Sequence, residues 1–298
     1  MARLLANTLS GSGYLTRFVF SVEPVEGDIL LPPFTGRVTK SIVANMDCMK
    51  PLWKMYRGKS RFKPVTFKAL RDRGGRPLYK RDGGGKPLEL RRNRPLFMEV
   101  TVYSPEALLL PCRGEEVNIG YGRVAVDPVE ASIAKLETLS RESYDTITIR
   151  ILTPMTISSK IMMPPVPPGS RVGRLLLGAR EMYRLLPTPG YILAQALRQW
   201  LGVVNNIHAD TMLHYYFGRI ADLLLAEIDY RLRPETVLYG KDDNGNELKV
   251  RGVTGYIRLA VLDQGIKWAV SRLLGLAEYL GLGKSRSIGF GEVRILYE

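Results

Sequence analysis

The sequence predicts an α+β protein of two tandem ferredoxin-like (RRM-like) domains, residues 1–140 and 141–298. Three observations point there. The chain has 298 residues, about twice a typical domain length of roughly 150. Its 45% hydrophobic and 24% charged residues are the mix of a globular chain, not a disordered one. Each half also reads in a β-α-β-β-like order, the split βαβ arrangement.

The elements follow from local pattern. Residues 14–23 (YLTRFVFSVE) alternate and are rich in aromatic and β-branched types, so they form a strand. Pro32-Pro33 breaks the chain. Thr35 then caps a helix to about residue 47, with Val38, Ile42 and Val43 on one side, and Pro51 restarts it. Strands follow at 64–70 and 95–103, flanking a glycine-rich basic loop, with an extended stretch at 119–137. The domain boundary falls near 138–143. In the second half, strands are expected at 144–152 and 157–162, and PPVPP at 164–168 marks a loop. Helices are expected at 190–202 and 209–231. The Asn244-Gly245 turn joins Thr236–Tyr239 to a strand at 247–262. Ile266, Val270, Leu273, Leu274, Ala277 and Leu280 recur at helical spacing, predicting a helix over 264–280, and a strand at 288–297 ends the chain.

The charge is concentrated. Lys and Arg number 43 against 29 acidic residues, a net +14, and residues 50–94 hold sixteen of those cations with only three acids. Such a run points to a polyanion, with tight and salt-dependent binding as condensed counterions are released. Gly74-Gly75, Gly83-Gly84-Gly85 and the prolines at 77 and 87 break it. It therefore lacks the continuous amphipathic helix that a membrane surface would want, and nucleic acid is the favoured partner. No apolar run of about 18 residues is present, and the N-terminus lacks a secretory core, so the expected compartment is the cytoplasm. Two cysteines, Cys48 and Cys112, exclude a disulfide framework. With only two histidines, His208 and His214, besides them, no zinc site is expected, and no cofactor.

The sharpest local signal is LGLGKSRSIGFGEV at 280–293. It is not a Walker loop, because Glu278 stands where that motif needs glycine. It is not a dinucleotide loop either, since Gly281-x-Gly283-x-x leads to Arg286. What remains is a helix-to-strand loop. Gly281 can end the helix, while Gly283 allows close backbone approach and Lys284, Ser285, Arg286 and Ser287 can donate to phosphate oxygens.

The ending GLGKSRSIGFGEVRI resembles the C-terminal signature of the CRISPR repeat-processing endoribonucleases of the repeat-associated mysterious protein superfamily. LPPFTGRVTKSIV at 31–43, FKPVTF at 62–67, TPMTISSKIMMPP at 153–165 and RGVTGYIRL at 251–259 are similar to further landmarks of that family, in order. The resemblance implies a basic cleft between the two domains that binds CRISPR repeat RNA. It implies one metal-independent cut per repeat in precursor crRNA. The ribose 2′-OH attacks the adjacent phosphate and leaves 5′-OH and cyclic or 3′-phosphate ends. Many members carry a histidine near the end of the first helix. Here that region reads MKPLWKMYRGK, with Trp53 or a neighbour in its place, and His208 and His214 are read as structural. The sequence is thus similar to the histidine-poor archaeal-type branch, which relies on lysines and arginines. By position, the resemblance makes Lys40 and Lys63 the principal catalytic groups, assisted by Arg37. Arg251 and the loop residues Gly283 to Ser287 would hold the RNA backbone, with Lys160 a further contact. Tyr14 and Phe34 are candidates for stacking on bases, although Phe34 is equally placed to plug the core. The missing histidine leaves a second expectation, a non-catalytic repeat-RNA-binding subunit of a CRISPR effector complex. Effector-complex subunits are accordingly possible partners, and the chain is expected to be a monomer or homodimer.

Overall fold

The computed structural model describes residues 2–81, 87–167, 169–207, 212–241 and 244–298. The triple glycine at 83–85 and His208 lie outside these. In the first half, helix α1 (Ala2–Leu9) precedes strand β1 (Tyr14–Pro24), β2 (Ile29–Leu31), α2 (Gly36–Asn45), α3 (Lys50–Arg57), β3 (Val65–Phe67), β4 (Leu88–Leu90), β5 (Leu96–Ser104), β6 (Glu115–Asn118) and β7 (Arg123–Lys135). The second half runs β8 (Thr146–Met155), β9 (Ile157–Ser158), α4 (Arg171–Gly178), β10 (Tyr183–Arg184), α5 (Pro189–Val203), α6 (Leu213–Leu224), β11 (Leu225–Lys241), β12 (Glu247–Val261), α7 (Lys267–Leu280) and β13 (Val293–Tyr297).

The two main sheets have the same plan. Strand order is β3-β5-β1-β7-β6 in the first and β11-β12-β8-β13 in the second. Numbered within each sheet, the second reads 2-3-1-4, the order of the ferredoxin-like fold, and the first reads the same once its edge strand β6 is set aside, with all neighbours antiparallel. Period-two alternation decides the faces of β1. Phe18, Phe20 and Val22 point to a core shared with Val38, Ile42 and Val43 of α2 and Leu52 of α3. Leu15 points the other way, into the second half's core with α5 and α7. On that same face Arg17 and Thr101 are register partners, and Thr101 donates to the Tyr279 carbonyl at the end of α7. Helix α1 also joins the second core through Leu5 and Leu9, and Trp200 Nε1 donates to the Thr8 carbonyl.

Several expectations change. The helix expected over 209–231 stops at Leu224, and residues 225–241 instead form the seventeen-residue β11 paired along β12. The long ladder overrides a local helical preference worth only tenths of a kcal/mol per residue. Thr35 precedes α2 without a side-chain cap. Its hydroxyl donates to the Leu78 carbonyl and accepts from the Leu70 amide, pinning the loop after β3. The strand expected at 157–162 is two residues long and turns into a 3-10 helix at Ser159–Met162. Phe34 is fully buried and stacked on Phe290 at 3.9 Å, so it is a core residue and not a base platform. Finally, Cys48 and Cys112 form a disulfide. Two cysteines are too few for a framework but sufficient for this one bond, which ties the α2–α3 corner to the segment before β6. No helix among the described residues is long and apolar enough to cross a membrane.

Candidate RNA-cleavage site

The glycine loop lies in the seam between the halves. Gly283 has φ of +95°, and a Cβ there would sit 2.4 Å from the Thr156 carbonyl oxygen, so only glycine lets the loop lie against the end of β8. The Lys284 amide then donates to the same carbonyl at 2.9 Å. On the other side the loop abuts α2, where a Cβ on Gly36 would sit 2.1 Å from the Ile288 carbonyl oxygen. The loop therefore brings the start of α2 to the second half.

Arg286 does not face solvent. Its guanidinium donates to the Leu280 and Lys63 carbonyls at 3.3 and 2.6 Å, and burial lowers its pKa to about 10. The expected phosphate donor is thus a structural clamp on the backbone of Lys63. Gly283, likewise, serves packing against Thr156. Lys284 and Ser285 are exposed and Ser287 half-buried. These three, with Lys63, Arg61 and Arg198, line a cavity of about 230 Å³.

The two lysines singled out in sequence share one aromatic ring. Lys40 Nζ lies 4.9 Å from the Tyr56 ring centre and 5.9 Å from that of Trp53. Lys63 Nζ lies 5.7 Å from the Tyr56 ring centre and donates to the Gly58 carbonyl at 2.5 Å. The two ammonium nitrogens are therefore within about 11 Å of each other. Trp53 and Tyr56 sit at i, i+3 on α3 and stack at 5.5 Å, presenting one aromatic face. Arg37, one turn before Lys40 on α2, donates to the Tyr239 carbonyl of β11 at 3.0 Å. Arg37, Lys40 and Trp53 line a second cavity of about 530 Å³ with Tyr121. Lys63 and Arg61 thus share a cavity with the terminal loop, whereas Arg37 and Lys40 line one built from first-half residues.

Family comparison decides what this arrangement belongs to. The Cas6 N-terminal domain matches residues 17–134, and the CRISPR-associated endoribonuclease Cas6 domain matches residues 149–293. The chain belongs to the Cas6 family. It is 28% identical over 281 residues to CRISPR-associated endoribonuclease Cas6 1 of Saccharolobus solfataricus, covering 93% of this chain and 94% of the relative. It is 27% identical over 282 residues to Cas6 2 of the same organism, with the same coverage. Among solved structures, a Cas6 product complex superposes with a TM-score of 0.60 at 17% identity, covering 95% of this chain and all of that one. Thermus thermophilus Cas6 superposes at 0.55 and 16% identity, covering 95% and 99%. These likenesses place the fold among Cas6 proteins, which are tandem ferredoxin-like.

Within this Cas6 fold the remaining candidates fall at varied distances from the cavities. Arg251 is exposed on β12, and its carbonyl accepts from Thr156 Oγ1 at 3.4 Å, one strand away from the loop. Lys160 is half-buried in the 3-10 turn after Ser158, whose side chain lines the smaller cavity. His214 is buried. Part of the basic run is turned inward. Lys68 and Arg71 are buried between the halves, Lys68 Nζ lying 2.6 Å from Glu99 Oε1 and Arg71 pairing with Glu292. Arg17 joins at 3.3 Å from Glu99. Burial lowers the Lys68 pKa to about 8 against the opposing pull of Glu99. Burial pushes Glu99 up, but Lys68, Arg71 and Arg17 together hold it down at about 2. Lys68 and Arg71 join the halves and are not free for RNA.

Sequence reading missed Tyr56, Arg198 and Glu181. Tyr56 had a signal in the i, i+3 spacing from Trp53. Arg198 had a weaker one, since Gln195 and Arg198 recur at helical spacing on α5 and both line the cavity. Glu181 had none.

Proposed function

We propose that this Cas6 protein binds CRISPR repeat RNA along the two cavities and cuts precursor transcripts within each repeat, with Lys40 and Lys63 as the catalytic groups and Arg37 assisting. The reaction is attack of the ribose 2′-OH on the adjacent phosphate. The new P–O bond forms as the bond to the 5′-oxygen breaks, and the 2′ proton ends on solvent or on that oxygen. The phosphorane on the way carries more charge on its non-bridging oxygens than the diester does. Cations fixed beside it act on that difference, which is what accelerates a reaction. Two ammonium groups anchored around one rigid ring are placed in advance, so little reorganisation accompanies the chemistry. The observation that carries the reading is this convergence of Lys40 and Lys63 on Tyr56, next to the terminal glycine loop. Lys284, Ser285, Ser287 and Arg251 hold the RNA backbone, with Lys160 at the margin. Association with further CRISPR proteins belongs to the same proposal. A Cas6 fold also occurs in a structure described as a partial Cas6-RT-Cas1–Cas2 complex, with a TM-score of 0.53 at 13% identity.

End-group analysis of the products tests the chemistry. Repeat RNA cut in the presence of EDTA is expected to give a downstream fragment that polynucleotide kinase labels without prior phosphatase treatment, because its end is 5′-OH. A downstream fragment bearing a 5′-phosphate contradicts 2′-OH attack.

A further inference from the structure

One carboxylate stands in the otherwise cationic smaller cavity. Glu181 lies on the segment between α4 and β10, and its Oε2 is 2.5 Å from Lys284 Nζ. Tyr183 completes the contact, its hydroxyl accepting from Lys284 at 2.8 Å and its ring centre lying 4.8 Å from Nζ. Arg286 is committed to carbonyls, so Lys284 is the exposed cation of the glycine loop, and Glu181 neutralises it. The hydrogen bond from Lys284 lowers the Glu181 pKa, so the carboxylate is ionised at neutral pH. Burial works against the Lys284 charge, but Glu181 and Tyr183 outweigh it and raise the Lys284 pKa.

The two partners are held differently. Lys284 is anchored through its backbone to Thr156, deep in the seam. Glu181 belongs to a segment tied to the body by a two-residue ladder, Tyr183 with Ser158 and Arg184 with Ile157, by the Ser159 amide donating to the Met182 carbonyl, and by Arg184 donating to the Tyr191 hydroxyl of α5 at 3.1 Å. Met182 of that segment and Leu186 just beyond β10 are exposed, and Leu185 is only partly buried against the core. Little apolar burial secures it, and such segments open at low free-energy cost. A carboxylate oxygen and a phosphodiester oxygen offer an ammonium group the same charge-assisted hydrogen bond.

We propose that Glu181 is an internal phosphate surrogate: it occupies the Lys284 subsite in RNA-free protein and is displaced by an RNA phosphate on binding, so that it sets the affinity of the enzyme for RNA. The inference rests on the nuclease reading above.

The test is equilibrium binding of a fluorescent repeat RNA over a range of KCl concentrations, by wild type, Glu181→Gln, Lys284→Ala and the double variant. Glu181→Gln keeps the shape and removes the competing charge. It is expected to tighten binding about tenfold at low salt. It is also expected to steepen the salt dependence, by up to about 0.7 in log–log slope, because no displaced carboxylate stays beside the phosphate to offset one charge of counterion release on a single strand. In the Lys284→Ala background the same substitution should have no effect, because the two act as one unit. A purely structural Glu181 would move neither the slope nor the cycle. Unchanged or weaker binding by Glu181→Gln, while wild type still cuts the repeat, overturns the surrogate and leaves the nuclease reading standing. Wild type that neither binds nor cuts repeat RNA overturns both.

Discussion

Arg286 shows what a single side chain does at this site. It sits in the motif that looks most like a phosphate loop, yet its guanidinium is turned inward onto the carbonyls of Leu280 and Lys63. Its work is to hold the backbone that carries Lys63. Replacing it by Met leaves the Lys63 carbonyl without its donor, while the Leu280 carbonyl keeps Thr66 Oγ1 at 2.9 Å, at a cost of about 1–3 kcal/mol. Arg286→Met is therefore expected to lower the melting temperature and slow cutting. RNA affinity should shift no more than about threefold, with an unchanged salt slope. A flattened slope in a binding titration would instead make Arg286 a phosphate contact. The spacing of glycines was legible in the sequence, because close approach and positive φ leave few alternatives. The direction of a cation beside them was not. Lys284 and Arg286 are two residues apart in one loop, and only the packing of Thr156 and Lys63 sends one out and the other in. Lys40 and Lys63 were singled out only through a resemblance, since nothing local reveals that Tyr56 stands by both.

At the scale of elements, period-two and helical patterns identified most strands and helices, including α2, β5, α5, α7 and the β11–β12 hairpin. They failed at Leu224, where an apolar, leucine-rich stretch continues as helix on any local reading. Pairing with β12 decides that boundary, and partner strands are invisible to a window of a dozen residues. The Cys48–Cys112 bond was likewise hidden by a separation of 64 residues. That bond fastens the corner from which α3 projects, and α3 carries Trp53 and Tyr56. Closing a loop of this size stabilises by roughly 4 kcal/mol in the chain-entropy account. Reduction is expected to lower the melting temperature by several degrees and to expose two thiols per chain to a thiol reagent. A melting curve indifferent to reductant, with two thiols already reactive in denatured untreated protein, would contradict the bond.

For the whole molecule, the repeated split βαβ order made two ferredoxin-like units readable, whereas the way they are joined was not. Helix α1 packs on the second half's core, and Lys68, Arg71 and Glu99 meet Glu292 between the halves. A basic run looks the same in sequence whether its members face RNA or a buried carboxylate. The join has a pH signature. Glu99 is held at about 2, below its ordinary 4.5. Its contribution to stability is present above about pH 4.5 and is lost as pH falls through that window toward 2, up to about 3 kcal/mol. Denaturant unfolding of wild type should weaken across that range. Glu99→Gln should be less stable at pH 7 and show a shallower acid decline, while an identical acid profile for both would remove Glu99 from the join. The proposed function has first-half cations meeting a scissile phosphate beside the second half's loop. The most direct measurement is single-turnover cleavage of repeat RNA in EDTA by wild type and by the Lys40→Ala/Lys63→Ala double variant, at enzyme concentrations that saturate binding. Cutting by the double variant should fall by about a hundredfold or more, the scale of losing transition-state charge stabilisation, with RNA affinity within a few-fold of wild type. Cutting at the wild-type rate by that variant would contradict the account.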